Sequence, residues 1–116
     1  MTQVNSAPTY IVGGDMSDDV FGAWFEPGVH GELLVDADWG AAGAPVGTLT
    51  LQYSQDGGAR INTVPGATFS ANPNGSDGEV QQRFTGLHIY KRLRIAFVHV
   101  SDGLGNTTLN VRRDII

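Results

Sequence analysis

Three aspartates, Asp15, Asp18 and Asp19, follow Gly13-Gly14 closely enough to gather carboxylates around a calcium ion. An EF-hand loop sets oxygen ligands at alternate positions of a twelve-residue stretch closed by Glu, and that pattern is missing, so a solvated turn is the plainer reading. Asp36 and Asp38 share one side of a strand-like segment and in principle form an acid/base pair. Alternate carboxylates on a half-buried strand ordinarily mark its wet face, and both are expected to point to water. His30, His88 and His99 are dispersed and show no zinc-ligand spacing. His99, inside an otherwise apolar run, reads as a hydrogen-bonded core or edge residue. The chain has no cysteine and no Gly-x-Ser-x-Gly elbow. No catalytic residue, metal site or cofactor is therefore assigned, and an enzyme is not expected.

Two sets of side chains point to binding. Trp24, Trp39, Tyr53 and Tyr90 are the aromatics that a sugar-binding platform would use. Trp39 falls in phase with Leu33 and Val35 and so is expected in a core, while the pattern leaves Tyr10 and Trp24 unassigned. The basic residues Arg83, Lys91, Arg92, Arg94, Arg112 and Arg113 form one patch if their strands are neighbours. Before Arg60 the chain holds eight acids and no Lys or Arg, and from Arg60 onward seven bases and four acids, giving −8 and +3. Strands of the two halves interleaved in one sheet would balance these charges locally. Alternatively, an acidic face meets a basic face on a neighbouring copy. The net charge of −5 argues against a nucleic-acid partner, which requires a concentrated basic surface.

The elements that must position these groups read as strands. With 116 residues, 16 of them Gly, one Lys and three Glu, the chain is long enough for one core and favours strands joined by tight turns over helices. Val46 to Ser54 alternates Leu49, Leu51 and Tyr53 with polar residues, and the following Asp56-Gly57-Gly58 suits a hairpin with Arg60 to Val64 returning. His30 to Trp39 alternates too. Val20 to Phe25 is a compact aromatic segment ended by the turn Glu26-Pro27-Gly28. Lys91 to Val100 is apolar on both sides and reads as a central strand, with Thr107 to Arg113 completing a second hairpin beyond the loop 101–106. Ala71 to Gly78 is expected to be an exposed loop, and Glu79 to Phe84 and Leu87 to Tyr90 short strands. Gly13 to Val20 has room for one irregular turn. No apolar stretch resembles a signal peptide or a membrane span, so synthesis in a cytoplasm and no membrane partner are expected. Without a signal peptide, the glycosylation-type triplets at Asn74 and Asn106 carry no consequence.

The expected fold is all-β: a two-sheet antiparallel β-sandwich of about eight strands, jelly-roll-like or Ig-like. Its core is drawn from Leu33, Val35, Trp39, Leu49, Leu51, Tyr53, Leu93, Ile95, Phe97, Leu109 and Val111. Residues 1–11 read as an N-terminal arm and 12–116 as a single domain.

The succession Leu33 to Trp39, Pro45-Val-Gly-Thr48 through Ser54-Gln-Asp-Gly57, Arg92-Leu-Arg-Ile-Ala-Phe-Val98 and Gly105-Asn-Thr-Thr-Leu-Asn-Val111 resembles small virion proteins of tailed bacteriophages, over residues 20 to 112. That resemblance implies a β-sandwich of the capsid decoration or cement type. Its partners would be the major capsid protein and copies of itself, as a homo-oligomer on the virion surface. A glycan-binding module of a phage or surface protein is the alternative. For a cement, the ends are the natural bridging elements: Val4, Pro8, Tyr10 and Ile11 in the arm, and Arg112, Arg113, Ile115 and Ile116 at the other terminus. Both ends pairing within their own sandwich is the competing expectation.

Overall fold

The computed structural model describes residues 9–103 and 107–116. Along the described residues run β1 (Thr9–Asp15), β2 (Val20–Phe21), β3 (Leu33–Trp39), β4 (Val46–Ser54), β5 (Asn62–Thr68), β6 (Gly78–Phe84), β7 (Arg92–Ser101) and β8 (Thr108–Ile115). They form two antiparallel sheets, sheet A in the order β1-β8-β3-β6 and sheet B in the order β2-β7-β4-β5. The expected sandwich is present.

Strand pairs 1 with 8, 2 with 7, 3 with 6 and 4 with 5 make one long hairpin with its tip after β4, although the 3–6 and 4–5 pairs lie in different sheets from the 2–7 and 1–8 pairs respectively only after that hairpin is rolled up. Rolling adds the contacts of β8 with β3 and of β7 with β4. Four strands per sheet in this order make a jelly roll and not the Ig-like alternative.

The expected β4–β5 hairpin is present, but its connection is longer than a tight turn, running from Gln55 to Ile61, and the return strand starts at Asn62 and not at Arg60. Gly57 and Gly58 have φ of +74° and +97°, a backbone that side chains resist. Asp56 Oδ1 accepts hydrogen bonds from Arg60 N at 2.8 Å and Ser54 Oγ at 2.9 Å. These two bonds, the Arg60 amide first, hold the Asp56 carboxyl below its ordinary range.

Between the sheets lie Leu33, Val35, Leu49, Leu51, Leu93, Ile95, Phe97, Leu109 and Val111, each with at most 2% exposure. A fully buried side chain of this size contributes about 1.5–3 kcal/mol, so this alternating set dominates the stability of the sandwich. Trp39 is buried as expected, and its indole Nε1 donates to the Ser76 carbonyl at 3.0 Å. Tyr53 is partly buried at the core margin, 4.5 Å from the ring centre of Tyr90. Met16, Phe69, Phe84 and Leu87 complete the core from turns and strand ends.

Four expectations are corrected. β7 and β8 do not form a hairpin, because they belong to different sheets and the chain crosses between layers after Ser101. Leu87–Ile89 is a 3₁₀ turn and not a strand, anchored by buried Leu87, whose N–H reaches the Gly31 carbonyl at 2.9 Å. The loop 71–78 is not wholly exposed: Pro73 is buried, and Asn72 Oδ1 accepts from Leu49 N at 2.7 Å, supplying an acceptor where β5 has ended. Finally, Thr9, Tyr10 and Ile11 lie in β1, where Thr9 pairs with Arg112 and Ile11 with Val111. The domain thus begins by Thr9, ahead of the boundary expected after Ile11.

Candidate interaction surfaces

The outer face of sheet A carries a charge network. β3 turns Leu34, Asp36 and Asp38 outward, and the register sets Arg112 of β8 opposite Asp36 and Asn110 opposite Asp38. Arg112 donates from Nε and Nη2 to Asp36 Oδ2 at 3.2 and 3.1 Å, and from Nη2 to Asp38 Oδ2 at 2.6 Å. Asp36 does not face water as expected. It is 2% exposed because the long Arg112 side chain lies over it. The Asp38 hydrogen bond, reinforced by Asp36, raises the Arg112 pKa. Both carboxylates are engaged as ion-pair partners of Arg112. Arg83 pairs with Glu32 at 2.8 Å, and on β7 of sheet B Arg92 pairs with Glu26 at 2.7 Å. The acids of the first half thus meet bases of the second half on nearby segments, the local balance that interleaved strands allow.

A second arrangement closes the flank between the edge strands β1 and β2. Tyr10 stands edge-on to Phe25 with ring centres 5.5 Å apart, and its hydroxyl donates to the Ala23 carbonyl. Burial pushes the Tyr10 phenol up to about 12, and the Ile95 amide and the charges of Arg113 and Arg94 only moderate that rise. The Arg113 guanidinium lies 4.7 Å from the Tyr10 ring centre and 4.6 Å from that of Phe25. Its buried Nε has no hydrogen-bond partner among the described residues.

The outer face of sheet B is different in kind. β7 turns Arg92, Arg94, Ala96 and Val98 outward, Arg92 held by Glu26 from the preceding turn, β4 contributes Thr48, Thr50 and Gln52, β5 adds Thr63 and Thr68, and β2 adds Phe21. None of these strand residues is acidic. Phe21 is 52% exposed and Val100, beside the bulge at the end of β7, 65% exposed. Cover over both sides of β7 was expected, yet only the side bearing Leu93, Ile95 and Phe97 is fully covered. Arg94 lies over two rings, 4.3 Å from the Phe21 centre and 4.6 Å from that of Trp24, while its Nε donates to Gln52 Oε1 at 2.8 Å. It makes no ion pair among the described residues. Desolvation by burial lowers its pKa.

The remaining sequence candidates disperse. Asp15 Oδ1 caps Ser17 through its N–H and hydroxyl, Asp18 Oδ1 accepts from Asp19 N, and Asp19 Oδ1 accepts from His99 N at 2.7 Å. The Ser17 hydrogen bonds lower the Asp15 pKa. This is the irregular turn expected between Gly13 and Val20. No group of three His, Asp or Glu with metal-holding geometry occurs among the described residues. Of the four platform aromatics, Trp39 is in the core and Tyr53 packs on Tyr90, leaving Trp24 beside Arg94 on an outer face.

Among the bridging residues, Val4 and Pro8 lie outside the described residues. Ile11 is buried and Tyr10 half-buried, Arg112 and Arg113 are engaged as above, and Ile115 packs on the core. Ile116 exchanges backbone hydrogen bonds with Glu32. What the sequence reading missed is Phe21 with Arg94 and Val100. The available signal was Arg94 itself, a charge interrupting an apolar strand next to a segment with two unburied aromatics. No family model, curated protein or solved structure matches this chain.

Proposed function

We propose that the chain is a non-catalytic structural protein of a bacteriophage virion, a decoration or cement protein that docks on the outside of the head through the outer face of sheet B. The observation that carries this reading is a threonine-rich face whose strands bear no acid, with exposed Phe21 against Arg94, an arginine that has no ion-pair partner among the described residues. Aromatic residues and Arg are enriched at the centres of protein interfaces, where charged residues otherwise are depleted. Arg94 is fixed by two rings and Gln52, so little side-chain freedom is lost when it meets a partner carboxylate. The resemblance over residues 20 to 112 supports the virion setting. So does the jelly roll, an architecture of many capsid and lectin domains, as an analogy of fold. A protein that binds the assembled lattice and not free subunits stabilises the shell by mass action.

The test is co-sedimentation with phage heads assembled without this chain. Wild-type protein should saturate the heads, while Arg94→Glu and Phe21→Asp, each with an unchanged fold, should bind at least about tenfold more weakly. Heads that take up none of the protein, or variants that bind like wild type, overturn the reading. Binding on a glycan array that disappears with Trp24→Ala would support the saccharide-binding alternative instead.

A further inference from the structure

A sandwich has four edge strands, and each exposes backbone donors and acceptors that invite another strand unless something blocks them. Three of the four are blunted here. β1 carries two register irregularities against β8, β2 is two residues long, and β5 contains Pro65 and a register break against β4. β6 has none of these devices. It pairs with β3 through seven consecutive residues, from Leu33 opposite Phe84 to Trp39 opposite Gly78, without a break and without proline. Among the described residues no backbone hydrogen bond joins Glu79–Phe84 to any segment except β3. An open depression of about 200 Å³, lined in part by Pro65, Gly66, Ala67, Gln82 and Arg83, separates this edge from β5.

We infer that β6 is a seam between two copies of the chain, joined antiparallel about a two-fold axis at Gln81. The side chains of this strand name the occupant. Glu79, Gln81 and Arg83 share its outer face, with Gln81 equidistant from the two charges. In an antiparallel pair centred on Gln81, Glu79 of each copy stands directly opposite Arg83 of the other, twice by symmetry, and Gln81 faces Gln81. Opposed residues of antiparallel strands lie on the same face, so all six side chains meet on one surface. A two-residue shift that sets Arg83 opposite Gln81 loses both charge matches, and the opposite shift sets Arg83 opposite Asp77, which precedes β6 and so lies outside its seven-residue ladder.

The second copy also relieves a conflict within the chain. Glu79 lies directly opposite Asp38 and makes no ion pair among the described residues. Like charges directly opposite destabilise a sheet. Arg83, with a side chain 61% exposed, holds Glu32 through Nη2 and has further donors for a second carboxylate. The product is one eight-stranded sheet, β1-β8-β3-β6 continued by the same order reversed in the second copy. This isologous contact closes on itself and leaves the outer face of sheet B uncovered, so it is independent of docking to a head.

The experiment is sedimentation of the full chain across micromolar to millimolar concentration, with thermal melts to verify folding. Wild type should show a reversible monomer–dimer equilibrium. Glu79→Arg and Arg83→Glu each replace attraction by repulsion at both symmetric contacts and should weaken the dimer at least about tenfold, about 1.4 kcal/mol. The double variant E79R/R83E restores opposite charges in the same register and should return to within about threefold of wild type. Glu79→Arg keeps the Arg83–Glu32 pair and sets opposite charges across from Asp38, so a lost dimer in that variant is not a folding defect. A chain monomeric throughout, a dimer indifferent to the single variants, or a double variant no better than either single one each overturns the seam.

Discussion

Arg112 and Arg94 stand on the outer faces of opposite sheets, and their surroundings share nothing. On sheet A, Arg112 covers Asp36 and bridges to Asp38, so its charge is consumed within the chain and its pKa rises. On sheet B, Arg94 lies on Phe21 and Trp24 with Gln52 as its hydrogen-bond acceptor, and its pKa falls. The difference teaches how the neighbours of an arginine decide what becomes of its charge. An arginine over a buried carboxylate is committed. One held by neutral groups keeps a charge that no acid among the described residues takes up.

That contrast breaks most readily at Arg112. Arg112→Leu leaves the Asp36 carboxylate buried without its counter-charge, and we expect a loss of about 3 kcal/mol in denaturant unfolding at neutral pH. A loss below about 1 kcal/mol would mean that the pair is a surface contact like any other. Next in size is Gly22→Ala, which tests the closed flank. A Cβ there would sit 2.2 Å from Tyr10 ring carbons, and overpacking of this kind costs about 1–3 kcal/mol. Arg94→Leu should cost only about 1.5 kcal/mol, the low end for two cation–π contacts and one hydrogen bond at a partly exposed site. If Arg94→Leu destabilises as much as Arg112→Leu, the two faces are not different in kind.

The sequence made the strands legible where one face is apolar. Leu49 and Leu51 in β4, and Leu33, Val35, Ala37 and Trp39 in β3, mark core-facing positions by a period of two. It could not tell which sheet each strand joins, because alternation is the same in either layer; hence the mistaken β7–β8 hairpin. Leu87 misled for a related reason, since one buried apolar residue anchors a 3₁₀ turn as well as it anchors a strand. Asp36 followed the outward phase, but whether an outward carboxylate is wet depends on what lies across from it. That partner, Arg112, is 76 residues away. Edge exposure is equally invisible in sequence: the seam proposed at β6 follows from the sheet order and its register.

The smallest expected effect concerns Tyr10, which sits between the two sheets and feels both Arg113 and Arg94. Its phenol is raised from the usual 10.0 to about 12, chiefly by burial. A raised pKa means that the folded state keeps the proton after the unfolded state has released it. The protonated phenol's contribution is therefore fully present below pH 10 and is lost as the pH rises through about 12. Denaturation midpoints of wild type and Tyr10→Phe should run parallel up to pH 10, offset by the lost hydrogen bond to Ala23, and converge between pH 10 and 12. The side chain is partly exposed and solvent screens part of the effect, so the convergence is modest. Curves that stay parallel to pH 12 would mean that Tyr10 ionises as easily folded as unfolded. The β1–β2 flank would then admit water, and Arg113, released from between Tyr10 and Phe25, would become a second uncommitted cation beside Arg94.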